Sequence, residues 1–288
     1  LPGWRDLVSL LRLRHWVKNA FVLMPLPFAL ATGAEPRWAA FALGVLGMCL
    51  ASSAVYALND AADAEQDRLH PEKCERPVAS GRVSVVQAHV LAVALAGLGV
   101  ALPWLSSGAS AGGLVVVYLV LNVLYSHGGK DVPLVDVFLI SSGFVLRVLL
   151  GCALVLVTPS SWLLLCSSTL ALFLALAKRR ADCARGIGSD HRPSLAGYNL
   201  GFLDQASGIS AGMTILSYSL YCIEAGVLVP GREFASMPFV LFGVLDYMRV
   251  SQLQPERAFP VDVLLSSRPL LVAGIGWVGS VIWSLGLI

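Results

Sequence analysis

Apolar residues along this chain gather into runs of about 18 to 22, separated by short polar breaks. A helix crosses the hydrocarbon core of a bilayer with roughly 20 such residues, so each run predicts one membrane-spanning helix. Nine runs are found, near 17–34, 38–58, 84–105, 110–126, 132–154, 159–177, 203–228, 235–250 and 270–288. The pattern predicts an all-α, polytopic membrane protein with one domain over 1–288. Ahead of the first run, Trp4, Leu7, Val8 and Leu11 recur at helical spacing, with Arg5, Asp6, Ser9 and Arg12 elsewhere around the circumference. That predicts an amphipathic helix within 1–16, lying in the membrane interface. Two polar breaks are long and charged, 59–83 and 178–202, while the connections on the opposite side are short or nearly chargeless.

Composition supports this reading, since 57% of the 288 residues are hydrophobic and 13% are charged, too apolar a balance for an ordinary soluble domain. The placement of cations then orients the bundle. With the N-terminus inside, 17 of the 20 Lys and Arg residues fall on one side, among them Arg12, Lys18, Lys73, Arg76, Lys130, Lys178, Arg192 and Arg257. Arg37 and Arg232 lie on the other side, and Arg147 lies within a span. Cytoplasmic segments retain Lys and Arg, so the N-terminus and both long loops are expected in the cytoplasm, on an inner or plasma membrane. The net charge of +2 points to no nucleic-acid partner. Six scattered cysteines form neither a C-x-x-C pair nor a secreted disulfide framework, and are read as reduced thiols. His15, His70, His89, His127 and His191 lack H-x-x-H spacing, so zinc is not expected. No removable signal peptide is expected, because the first apolar run leads directly into another.

The stretch "NDAADAEQDRLHPEKCERPVASG" carries the most pointed chemistry. Asp60, Asp63 and Asp67 stand at i, i+3 and i+7, on one face of a helix, with Asn59 at its border and His70 a turn further on. Like charges at this spacing repel unless a cation compensates them. Mg²⁺ suits such a set, because it takes hard oxygen ligands and completes its shell with water and substrate phosphates. Lys73, Arg76 and Arg82 follow at once and supply donors for phosphate oxygens. A diphosphate and Mg²⁺ site accounts for this run better than a solvated loop does.

These residues resemble the first signature of the UbiA superfamily of membrane prenyltransferases, N-D-x-x-D-x-x-x-D, which Asn59, Asp60, Asp63 and Asp67 match in full. Within it the chain looks like the decaprenyl-phosphate phosphoribosyltransferase branch. The likeness runs through "LRLRHWVKNAFVLMPL", "YSHGGKDVPLVDVFLISSGFVLRVLLG", "LALAKRRAD" and "YNLGFLDQ". It implies a UbiA-like bundle of nine helices whose charged loops 59–83 and 178–202 form the active site. It also implies Mg²⁺-dependent transfer of 5-phosphoribosyl from phosphoribosyl diphosphate (PRPP) to a polyprenyl phosphate, with diphosphate released, in the supply of a cell-envelope arabinan precursor. Members with aromatic acceptors typically carry a second aspartate-rich motif after the sixth span. Here that segment reads "AKRRADCARGIGSD", with Lys178, Arg179 and Arg180 ahead of Asp182. A cationic second site suits phosphate groups better than a second metal. This chain departs from the family at "HGGK", where Lys130 alone is kept, and at Ser267, where an acidic residue is common.

Four further features carry two readings each. Arg147, flanked by Gly143 and Gly151 at intervals of four, is either a phosphate contact or a structural partner of a neighbouring helix. Asp136 lies eleven residues earlier on nearly the same face. Lys18 and Asn19, in "HWVKN", either hold phosphate or anchor the span at the interface. Asp182 stands four residues after Lys178, so an i,i+4 salt bridge competes with a ligand role. Tyr198 and Asp204 enter through the resemblance alone. The expected catalytic set is Asp60, Asp63, Asp67 and Lys178, supported by Lys73, Arg76 and Arg179 at the leaving diphosphate. Two other functions fit the pattern: transfer of a prenyl group from prenyl diphosphate to an aromatic acceptor, and solute transport without chemistry. A homo-oligomer is compatible with all three.

Overall fold

The computed structural model describes residues 3–69, 73–186, 193–224, 226–254, 263 and 267–287. Every regular element among them is helical. Helix α1 covers Trp4–Leu11, a 3-10 segment Leu13–Leu23, α2 Leu26–Ala31, α3 Trp38–Ala62 and α4 Ala64–Arg68. Then follow α5 Val85–Ser107, α6 Ala109–Ser126, α7 Val135–Leu154, α8 Ser161–Ala184, α9 Leu200–Glu224, α10 Met237–Leu253 and α11 Arg268–Ser284. Six of these, α3 and α5 to α9, are long and apolar enough to cross a membrane. Helices α10 and α11 have 17 residues each. His70, Arg192 and Arg257 lie outside the described residues, as do parts of both charged loops.

The first expected span, 17–34, is not one α-helix. Arg12 closes α1 in the left-handed region at φ 49°, which ends the helix short of the expected residue 16. Eleven residues of 3-10 helix follow, and Pro25 and Pro27 then frame the start of α2, where a missing N–H costs least. The tighter winding has a consequence for side chains. With three residues per turn, positions three apart eclipse, so Trp16, Asn19 and Val22 form one row and His15, Lys18 and Phe21 another. Trp16 Nε1 donates to Ser53 Oγ at 3.0 Å, Asn19 is buried against α3, and the Val22 carbonyl lies against Gly151 so closely that a Cβ there has no room. His15 and Lys18 meet Tyr56, while Phe21 meets Phe144 edge-on.

Helix α3 is the central element. Its backbone touches α5 at Gly47 and Gly99, where a methyl group on either glycine would run into the facing main chain. A capping box between Ser84 and Gln87 starts α5. One apolar cluster joins α3 to α6, α7, the 3-10 segment and α2 through Met48, Val55, Val115, Leu150, Val22 and Ala29. A second joins α8 to α11 through Phe173, Val244, Tyr247 and Leu270. The alternation of helix directions brings the C-terminal ends of α3, α6 and α8 to the same face of the bundle as the start of α7 and α9. The charged residues gather there.

Candidate active site

The helical path through the aspartates is interrupted. Helix α3 stops at Ala62, Asp63 takes φ −91° and ψ 6°, and α4 restarts at Ala64. The three carboxylates therefore do not form the single face expected of an unbroken helix. Asp60, 2% exposed, and Asp67 point at one guanidinium: Arg76 Nη1 is 3.2 Å from Asp60 Oδ1 and 2.6 Å from Asp67 Oδ2. Arg12 Nη2 also donates to Asp60 Oδ1, at 2.5 Å, and Lys73 Nζ stands 3.8 Å from Asp67 Oδ1. Asp63 turns away to Lys130, 3.5 Å off. Asn59 Oδ1 accepts from Ser126 Oγ at 2.8 Å, tying the motif to the end of α6.

Among the described residues no three His, Cys, Asp or Glu side chains lie close enough to share a metal ion. The donor set still suits Mg²⁺, which commonly binds through one or two carboxylates and takes its remaining ligands from water and phosphate. Asp60 and Asp67 converge on one point, and a cationic nitrogen already stands there. Arg82, expected at the phosphates, is instead engaged by Asp6 of α1 at 2.9 Å and by the Glu75 carbonyl at 2.6 Å. It fastens α1 to the loop.

A second charged cluster, at the junction of α7, α8 and the 193–199 connection, is closed. Arg179 is 1% exposed and Asp136 0%. Arg179 Nε donates to Asp136 Oδ2 at 2.9 Å and its Nη1 to Asp182 Oδ2 at 2.8 Å. Asp136 also accepts from Tyr198 OH at 2.7 Å, Ser194 Oγ at 3.2 Å and the Val137 amide at 2.9 Å. The Tyr198 hydroxyl in turn accepts from the Leu134 amide at 2.6 Å. Burial, with the hydrogen bond to Asp136 second, pushes the Tyr198 phenol up to about 12. Two expectations are corrected here. The partner of Asp182 is Arg179 at i,i+3 rather than Lys178 at i,i+4, because the Arg179 side of α8 faces α7. And Arg179 is enclosed, with its guanidinium spent on carboxylates. Arg180 pairs with Asp204 at 2.6 Å. Lys178, half-buried, lies on the same end of α8.

Arg147 lies deeper. Its Nε donates to Asn19 Oδ1 at 2.9 Å, Nη1 to the Gly143 carbonyl at 2.8 Å and Nη2 to Tyr118 OH at 3.0 Å, with Ser52 Oγ at 3.5 Å. The rings of Tyr118 and Phe144 cover its faces at 4.7 and 5.1 Å. Lys18 Nζ reaches Tyr56 OH at 3.4 Å. The residues that the sequence did not single out are Arg12, Ser52, Tyr56 and Tyr118. The Trp16–Asn19–Val22 spacing of three was the available signal for the first segment, since it marks a 3-10 face toward α3.

A profile of the UbiA prenyltransferase family matches residues 20–257. The chain is 32% identical over 287 residues to the decaprenyl-phosphate phosphoribosyltransferase of Corynebacterium glutamicum, covering 94% of this chain and 84% of that one. It is 30% identical over 291 residues to the protein of the same name from Mycolicibacterium smegmatis, covering 96% and 91%. Its fold matches the solved structure of a UbiA homologue from Archaeoglobus fulgidus bound to GPP and Mg²⁺ with a TM-score of 0.72, at 17% identity, over 98% of this chain and 99% of that one.

Proposed function

This chain belongs to the UbiA prenyltransferase family, and on that premise we propose that it transfers 5-phosphoribosyl from PRPP to a polyprenyl phosphate, releasing diphosphate. The product is a polyprenyl-phosphoryl-5-phosphoribose. The observation that carries the reading is the surplus of cations at the aspartate motif: among the described residues Arg12, Lys73, Arg76 and Lys130 meet three carboxylates there. Such a surplus suits substrates that bring several phosphates. The names of the relatives at 30–32% identity agree with it. At the C-terminal end of α8, Asp182 is bound to Arg179, which weighs against a second metal of the aromatic-acceptor kind.

In this mechanism Asp60 and Asp67, with Asp63 beside them, would hold Mg²⁺, which would supply positive charge against the diphosphate. Arg76 and Lys73 release their carboxylates and turn to the diphosphate oxygens, and Lys130 and Lys178 flank them. As negative charge collects on the diphosphate, the anomeric carbon becomes electron-poor, and an oxygen of the polyprenyl phosphate attacks it from the opposite side with inversion. That oxygen is already ionised at neutral pH, so the chain need not supply a general base. Arg179, Asp136, Asp182 and Tyr198 act at a distance, by fixing the junction of α7, α8 and the connection ahead of α9. We place the chain in nine spans with the N-terminus and these loops cytoplasmic, counting α10, α11 and the 3-10 segment with α2. The two N-terminal pieces together rise roughly 30 Å, close to the thickness of a bilayer core.

The test is incubation of detergent-purified protein with Mg²⁺, labelled PRPP and a polyprenyl phosphate. Label entering the lipid phase with stoichiometric diphosphate, abolished by EDTA, is the expected result. Consumption of an allylic diphosphate with an aromatic acceptor, and none of PRPP, would overturn the substrate assignment and leave the family intact. Solute uptake into vesicles with no diphosphate formed would overturn both.

A further inference from the structure

Along α3, Asp60, Tyr56 and Ser52 are four residues apart and so lie on one face, about 6 Å of helix rise between neighbours. At the carboxylate end of this ladder the cations have anionic partners. Each of its aspartates is in contact with at least one cation: Asp60 with Arg12 and Arg76, Asp67 with Arg76 and Lys73, Asp63 with Lys130. The deeper rungs are not balanced. Among the described residues Lys18 takes no part in the ion pairs of this region, and its hydrogen bond is to the neutral Tyr56 hydroxyl. Every acceptor described for Arg147 is neutral: an amide oxygen, a backbone carbonyl and two hydroxyls. Two cations thus lie one and two turns below the aspartates, within the apolar part of the bundle, without a negative partner among the described residues.

Neutral acceptors satisfy the hydrogen bonds of a guanidinium, yet they do not cancel its charge. A buried cation is costly unless it is paired, and placing a second one within its field adds to the cost. A purely structural Arg147 explains its own bonds to Asn19 and Gly143 but gives no reason for Lys18 beside it. Lys18 has three N–H donors, of which its long contact with Tyr56 uses one.

We infer that Lys18 is the contact residue of a second anion site, separate from the aspartate site, which takes a phosphate monoester. Arg147, pinned by Asn19, Tyr118 and Gly143, is the fixed positive charge behind it. The inference rests on the function proposed above and extends it: both substrates of that reaction carry a phosphate monoester, one at C5 of the PRPP ribose and one on the lipid. The spacing along α3 puts the site about 6 to 12 Å from Asp60, so one molecule that bears both a diphosphate and a monoester phosphate can reach both.

The experiment is ligand binding and thermal unfolding of the full-length protein in detergent, wild type against Lys18→Met and Lys18→Arg. The probes are ribose 5-phosphate, dimethylallyl phosphate, and inorganic diphosphate with Mg²⁺. Without a probe, Lys18→Met should melt at or above the wild-type temperature, since an uncompensated charge has been removed. Its affinity for a monoester should fall at least tenfold and be restored by Lys18→Arg, while inorganic diphosphate binding changes less than twofold. Loss of ribose 5-phosphate alone assigns the site to the donor, loss of dimethylallyl phosphate alone assigns it to the lipid head, and loss of both makes it shared. Unchanged affinity for both monoesters, or a lowered melting temperature with ligand stabilisation intact, would overturn the inference and leave Lys18 an interfacial anchor. If the enzyme proves to use an allylic diphosphate in place of PRPP, the proposed function falls, and the Lys18 dependence of monoester binding is still read independently.

Discussion

Replacing Arg179 by Met separates a structural cation from a catalytic one. The substitution keeps most of the side-chain volume and deletes two charge-assisted hydrogen bonds, to Asp136 at 2.9 Å and Asp182 at 2.8 Å. Asp136, fully buried, is left as an uncompensated carboxylate. Breaking a buried pair from one side costs about 3–5 kcal/mol. The lower end applies here, because Tyr198, Ser194 and the Val137 amide continue to donate to Asp136. At about 2–4 °C per kcal/mol for a chain of this size class, the melting temperature should fall by roughly 6–12 °C. Adding Asp136→Asn and Asp182→Asn removes the stranded charges and should recover more than half of the loss. Thermal unfolding in one detergent, with turnover measured per folded molecule well below the transition, checks this. The expected outcome is a large change in stability with KM for the donor within about threefold of wild type. Should Arg179→Met melt within 1–2 °C of wild type, or should its defect lie in KM alone, the enclosed network is not what Arg179 serves, and the argument from burial fails.

The other predictions concern different links of the chain. Asp60→Asn should lower Mg²⁺-dependent diphosphate release at least a hundredfold and also destabilise the protein, because Arg12 and Arg76 both lose a buried anion. Asp63→Asn, at a more exposed position with one partner at 3.5 Å, should impair turnover with a stability change within about 0.5 kcal/mol, measured in the same scans. Gly151→Ala forces a methyl group onto the Val22 carbonyl and should cost about 1–3 kcal/mol, whereas Gly97→Ala, with open space around it, should be neutral or slightly stabilising. Tyr198→Phe removes the donor to Asp136 and the acceptor for the Leu134 amide, at about 1–3 kcal/mol. Burial, and then the hydrogen bond to Asp136, hold the phenol up at about 12 in the folded state, above the unfolded value of about 10. Its contribution is therefore complete below about pH 10 and fades as the pH rises toward 12, a loss that stability scans of Tyr198→Phe should lack.

The sequence made the long helices legible because one physical quantity sets them, the length of an apolar run against the thickness of a bilayer. That quantity is blind to winding, so 17–34 was expected as one span although Arg12, Pro25 and the row Trp16, Asn19, Val22 mark a left-handed stop, a proline break and a three-residue period. The aspartate face was drawn on an ideal helix. The break at Asp63 comes with a contact to Lys130, a residue 67 positions further along the chain, and local spacing does not reveal such a contact. The choice between Lys178 and Arg179 fails for a similar reason. The two are adjacent cations about 100° apart on α8, and only the position of Asp136, on another helix, decides which of them is enclosed.

Total charge hides the arrangement that the fold produces from it. A net charge of +2 is nearly neutral, but among the described residues the two clusters depart from neutrality in opposite directions. At the α7–α8 junction Arg179 faces two carboxylates, and the hydroxyls around them complete a closed set that gains nothing from a ligand. Around α3, Arg12, Lys18, Lys73, Arg76, Lys130 and Arg147 face Asp60, Asp63 and Asp67. Phosphate esters carry about −1.5 to −2 each at neutral pH, so a substrate with several of them relieves the second cluster and has no comparable effect on the first. Self-repulsion there costs stability in the free protein and is relieved on binding, which is the relation between a strained site and its ligand that stability and affinity measurements on the same variants can expose. The two clusters should therefore respond oppositely to charge removal: neutralising Arg179 weakens the fold, and neutralising Lys18 strengthens it while weakening the hold on phosphate.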